Sequence, residues 1–177
     1  MTHYNWTRFW SDPGSTVSGD WGGFLTDPEQ HFGGNYGLRS TDALHELLVG
    51  GQSLLLLGEP GCGKSVELKR LSESAGLPNS RLVRLGVIGE ESRLERRLEQ
   101  ELSDLHSRDG VPVLLLDSID EALFGLPKAI EVILDVLARD REANLAVPLR
   151  IAVTCRTGAL PPDLLLRLQT IVGETKA

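Results

Sequence analysis

The stretch Ser53-Leu54-Leu55-Leu56-Leu57-Gly58-Glu59-Pro60-Gly61-Cys62-Gly63-Lys64-Ser65 decides the fold. It opens with a short apolar run after the turn signal Gly50-Gly51, the pattern of a strand buried on both faces of a parallel sheet. Gly58 to Ser65 then fits G-x-x-x-x-G-K-[ST] at every fixed position, between that strand and a helical pattern, which is the context the motif requires. Gly58, Gly61 and Gly63 let the backbone turn its N–H groups toward phosphate oxygens, and the following helix N-terminus adds partial positive charge. Lys64 is placed for the β- and γ-phosphates of a nucleotide and the Ser65 hydroxyl for magnesium. Glu59, Pro60 and Cys62 complete the loop. Cys62 occupies a variable position as a small filler, and its closeness to bound phosphate marks it for inhibition by alkylation.

Outward from the loop, elements alternate. Upstream, Ser40 and Thr41 cap a helix with Ala43, Leu44, Leu47 and Leu48 on one face, ended by Gly50-Gly51. Downstream, a helix runs from Lys64 to about Ala75, and a strand is expected at Arg81 to Leu85. A longer amphipathic helix follows with Leu94, Leu98, Leu102 and Leu105 on one stripe. Its Glu and Arg residues read as a solvated face. Then come a strand at Val113 to Leu116, a helix at Pro127 to Arg139, a strand at Leu149 to Thr154 and a short helix at Leu164 to Leu168. Gln169 to Val172 reads as the start of a fifth strand. This alternation predicts parallel crossovers, hence a three-layer α/β sandwich around a mostly parallel sheet of about five strands.

Residues 1–37 differ from the rest. They are rich in Gly, Asp, Ser and Thr, hold Trp6, Trp10 and Trp21, and show neither helical nor alternating period. They read as an irregular arm, packed on the body or docking a partner, before a core at 38–177.

With 177 residues, 41% hydrophobic and 24% charged, the composition is that of one globular domain. A net charge of −7 gives no sign of a nucleic-acid surface. No apolar run reaches the roughly 20 residues of a membrane span, and no signal segment opens the chain. Cys62 and Cys155 lack zinc-site spacing, so both are expected reduced in a cytoplasm.

A second motif, Val113-Leu114-Leu115-Leu116-Asp117-Ser118-Ile119-Asp120-Glu121-Ala122, is a buried strand delivering acids at its C-terminal end, the edge where parallel sheets bind ligands. Asp117 is placed to hold magnesium, and Asp120 or Glu121 to orient and deprotonate an attacking water.

Asp-Ser-Ile-Asp-Glu-Ala after an apolar run resembles the magnesium-binding strand of the STAND class of P-loop NTPases, particularly its NACHT branch, related to AAA+ ATPases. There a small residue follows the first Asp and the acidic pair comes later, as with Ser118 before Asp120 and Glu121. Ile151-Ala152-Val153-Thr154-Cys155-Arg156 is similar to the sensor strand of these NTPases, which ends near the γ-phosphate, and the resemblance makes Arg156 the phosphate sensor. It covers roughly Leu38 to Val172 and implies ATP and ADP with Mg2+ as ligands. It also sets Tyr36-Gly37-Leu38-Arg39 near the base.

In that class a helical lid follows the α/β core, and too little sequence remains after the fifth strand to supply one. Nucleotide binding is therefore expected more firmly than turnover, with hydrolysis dependent on regions outside the chain. The expected function is a Mg-dependent ATPase core acting as a nucleotide-controlled switch on a protein partner or on self-association. The alternative is an inactive scaffold that docks a protein partner. Intact Lys64, Ser65, Asp117 and Glu121 argue against it. A small-molecule phosphotransferase is disfavoured because no acceptor lid is evident.

Overall fold

The computed structural model describes residues 10–11, 38–39, 41–172 and 175–176. Most of the 1–37 arm, and with it Tyr36-Gly37, lies outside the described residues. Two short strands, β1 (Trp10–Ser11) and β2 (Leu38–Arg39), pair antiparallel. Then follow α1 (Thr41–Val49), β3 (Ser53–Leu57), α2 (Lys64–Ser72), β4 (Ser80–Arg84), α3 (Glu91–His106) and β5 (Val113–Asp117). The chain continues through α4 (Ile119–Gly125), α5 (Ala129–Ala143), β6 (Arg150–Cys155), α6 (Leu164–Val172) and β7 (Thr175–Lys176).

The sheet order is β4-β5-β6-β3-β7, and each neighbouring pair is parallel. Successive side chains of a strand point to opposite faces, and the leucine runs fill both. Leu54, Leu56, Val113, Leu115 and Ala152 pack with Leu44 and Leu48 of α1 and Leu68 and Leu71 of α2. On the other face Leu55, Leu114, Leu116, Ile151 and Val153 pack with the leucine stripe of α3 and the apolar faces of α5 and α6. Continuous apolar strands thus have a layer of helices on each side, the three-layer α/β sandwich that their lack of alternation predicts.

Two expectations need correction. Gln169–Val172 is the second half of α6, not a strand. Leu164, Leu165, Leu168, Ile171 and Val172 recur at helical spacing and all pack into one cluster, so the helix period continues past Leu168. The sheet therefore has four full strands instead of about five, and the two residues of β7 extend its edge beside Ser53 and Leu54. α4 carries no clear sequence signal: it has seven residues, and Phe124 is 85% exposed, which blurs its apolar face.

Because β6 lies between β3 and β5, its C-terminal end comes to rest between the phosphate loop and Asp117. In register, Leu56 faces Thr154, and Leu57 faces Cys155.

Candidate functional site

The loop after β3 owes its path to its glycines. Gly61 and Gly63 have φ of 82° and 95°, the left-handed region that side chains resist. At Gly58, a Cβ would lie 2.7 Å from Cys62 Sγ. Gly63 is the N-cap of α2 and supplies no side-chain cap, so the first N–H groups of the helix remain available to an anion. The Lys64 ammonium is held at the loop, donating to the carbonyls of Gly58 at 2.6 Å and Glu59 at 3.0 Å, with Cys62 Sγ at 3.7 Å.

Ser65 donates to Asp117 Oδ1 at 2.9 Å, joining the start of α2 to the end of β5. The same oxygen accepts from Thr154 Oγ1 at 2.8 Å, and Thr154 Oγ1 in turn accepts from the Ser118 N–H at 2.7 Å. Ser118 is left-handed, at φ 63°, the one non-glycine residue with positive φ among those described. Such a conformation costs roughly 1–2 kcal/mol, offset here by the bond to Thr154. It turns the chain sharply, so that Asp117 and the start of α4 both face the strand ends.

A magnesium ion fits this oxygen set. Ser65 and Asp117 are hard donors already within 3 Å of each other, and Asp117 Oδ2 has no hydrogen-bond partner among the described residues. No group of three or more His, Cys, Asp or Glu side chains occurs there to make an all-protein cage. Magnesium at this place would complete its shell with phosphate oxygens and water, as is usual for nucleotide sites.

Asp120 and Glu121 diverge in their surroundings. Asp120 is 3% exposed and holds Arg156 twice, through Nε at 2.8 Å and through the backbone N–H at 3.2 Å. The Glu121 side chain is half exposed, and Arg156 Nη2 approaches it at 3.6 Å. Arg156 therefore ties both acids to the end of β6. Glu121 also rests on the 3-10 turn Leu85–Val87 that leaves β4. A Cβ at Gly86 would come within 2.4 Å of Glu121 Oε2 and 2.9 Å of its Cβ.

The neighbouring Cys155 thiol is buried, and its pKa is pushed up to about 11, first by desolvation and then by the Asp120 carboxylate, with Lys64 acting in the opposite sense.

All the residues read from the sequence thus converge at one edge of the sheet: Gly58 to Ser65 from the loop, Asp117, Asp120 and Glu121 after β5, and Arg156 after β6. Two contributors were missed. Thr154 is the hub joining Asp117 to Ser118, and its polar side chain at the end of an apolar strand was the available signal. Gly86 sets the clearance beside Glu121, a contact between distant segments with no local signature. Glu67 is fully buried in α2, and neither carboxylate oxygen has a hydrogen bond. Its interruption of the apolar face was visible in the sequence.

Among solved structures, the Thermotoga maritima RuvB Holliday junction branch migration motor is similar to this chain at 16% identity and a TM-score of 0.48. The likeness covers 77% of this chain and 43% of the RuvB chain. No curated protein matches the sequence. The profile of the ATPase family associated with various cellular activities (AAA) matches residues 54–174, which span the phosphate loop, the acidic strand end and the Arg156 segment. The chain belongs to the AAA ATPase family and carries its nucleotide-binding core.

Proposed function

We propose that this core is a magnesium-dependent switch that binds ATP, hydrolyses it to ADP and phosphate, and reports which nucleotide is bound through Arg156. The observation that carries this reading is the position of Arg156, one guanidinium shared between buried Asp120 and half-exposed Glu121 at the end of the central strand β6. Phosphate oxygens bind to the N–H groups of the loop and to Lys64. Ser65 and Asp117 would hold magnesium, and the charge it supplies would offset that of the phosphates. Glu121 accepts a proton from the water that attacks the γ-phosphorus. Asp120 keeps Arg156 within reach of that phosphate. A γ-phosphate competes with the carboxylates for the guanidinium, so ATP and ADP favour different arrangements of α4.

The acidic pair after a small residue supports a place in the NACHT-like branch of the STAND class, where such switching controls a protein partner or self-association. Two unpaired cysteines fit a reducing cytoplasm, where we place the protein, and no described helix is long and apolar enough to cross a membrane.

The test pairs phosphate release with nucleotide titration. Glu121→Gln is expected to keep ATP affinity while hydrolysis falls by about 100-fold or more. Arg156→Ala is expected to bind ATP and ADP with equal affinity. An Arg156→Ala variant that still separates the two nucleotides overturns the switch.

A further inference from the structure

The sheet ends at β4, three places from the phosphate-loop strand, and among the described residues β4 pairs with β5 alone. The Val113 N–H donates to the Asn79 carbonyl, which fixes the ladder: Asn79, Arg81 and Val83 bond to β5, while Ser80, Leu82 and Arg84 turn their peptide groups outward. Arg81 Nη1 covers the Ser80 carbonyl. The N–H and C=O of Leu82 and the N–H of Arg84 have no partner among the described residues.

Beside this edge, between β4 and α3, runs a groove of about 690 Å³. Its apolar lining is Leu82, Val83, Val87 and Ile88, and Val87 is 80% exposed. Its charged lining includes Arg84, Arg93 and Arg96. A fourth arginine of the lining, Arg97, is neutralised by Glu101, and several arginines outside the groove are likewise paired, Arg139 with Glu95 and Glu99 and Arg167 with Glu131. Arg84, Arg93 and Arg96 hold no carboxylate among the described residues. On a chain of net charge −7, unneutralised guanidiniums gathered over an apolar lining and an open strand edge form a locally inverted field.

We propose that the β4 edge and its arginine-lined groove receive an extended acidic segment of a partner protein, added to the sheet as a further strand. Strand addition uses the outward peptide groups of Leu82 and Arg84 for main-chain hydrogen bonds. Alternate side chains of the incoming strand face one way, so Asp or Glu carboxylates on that face meet the arginines of the groove. A nucleic acid satisfies the charge but lacks the alternating N–H and C=O groups that this edge matches. The proposal is independent of what occupies the phosphate loop.

The test uses the whole chain and a fluorescein-labelled ten-residue peptide of alternating glutamate and valine, followed by anisotropy. A lysine-valine peptide and an oligothymidylate of matched charge serve as comparisons. Saturable binding of the glutamate peptide only is expected, weakened about tenfold by each of Arg84→Ser, Arg93→Ser and Arg96→Ser. These side chains are unpaired and on the surface, so the melting temperature stays unchanged. Amide exchange at Leu82 and Arg84 slows in the complex. The proposal fails if the folded chain shows no saturable binding, if the triple variant binds as well as the parent, or if oligothymidylate displaces the peptide while those two amides exchange unchanged.

Discussion

Ser65 and Asp117, 52 positions apart, are joined by a hydrogen bond of 2.9 Å between the first turn of α2 and the tip of β5. A hydroxyl and a carboxylate already this close accommodate magnesium with little rearrangement. Asp117→Asn removes the negative charge while keeping the shape, and should weaken the magnesium dependence of nucleotide binding. Calorimetric titration with and without magnesium reads this directly, and unchanged dependence counts against the assignment.

Thr154 supports that pair from behind. Thr154→Val keeps the volume but strands the Ser118 N–H and removes a donor from Asp117. The expected loss of stability is about 1–3 kcal/mol, measured by urea unfolding. A loss below half of that would make the hub dispensable.

Glu67 predicts a change in the other direction. Its carboxylate is buried without a hydrogen bond, so exchanging it for an apolar side chain of similar volume relieves desolvation. Glu67→Met should raise stability by about 1–3 kcal/mol, seen as a higher urea midpoint at unchanged slope.

The two thiols should separate cleanly under alkylation. Cys62 is exposed, whereas Cys155 is buried with its pKa raised to about 11. A raised pKa means less thiolate, so at pH 8 only about one Cys155 in a thousand is ionised. Iodoacetamide at that pH should add a single adduct by intact mass, at Cys62, and abolish nucleotide binding. ATP with magnesium should slow the reaction.

Gly86 and Gly89 make a matched pair of tests. A methyl at Gly86 collides with Glu121, while one at Gly89 meets nothing within 4 Å. Gly86→Ala should lower phosphate release at least about tenfold with nucleotide affinity retained, if displacement of the base costs what small misplacements generally do. Gly89→Ala should leave both unchanged.

The phosphate loop and the acidic strand end were legible because each is a run of consecutive residues with its chemistry written locally. Placing them together needed only the rule that parallel strands present ligands at their C-terminal ends. The different surroundings of Asp120 and Glu121 were not legible, since they depend on Arg156 arriving from another strand. Gln169–Val172 was misread because four apolar or polar residues fit either period until Leu164 and Leu168 are seen to share their face. The meeting of Gly86 with Glu121 depends on the packing of a 3-10 turn against α4, which no window of sequence contains.

That turn links two ends of the molecule. Gly86 packs against the Glu121 side chain, and Val87, the next residue, lines the groove at the sheet edge. The two are consecutive residues of one 3-10 turn, so the Glu121 contact and the groove share a backbone. Thermodynamic reciprocity then applies: whatever factor an occupant of the groove imposes on nucleotide affinity, the nucleotide must return to that occupant.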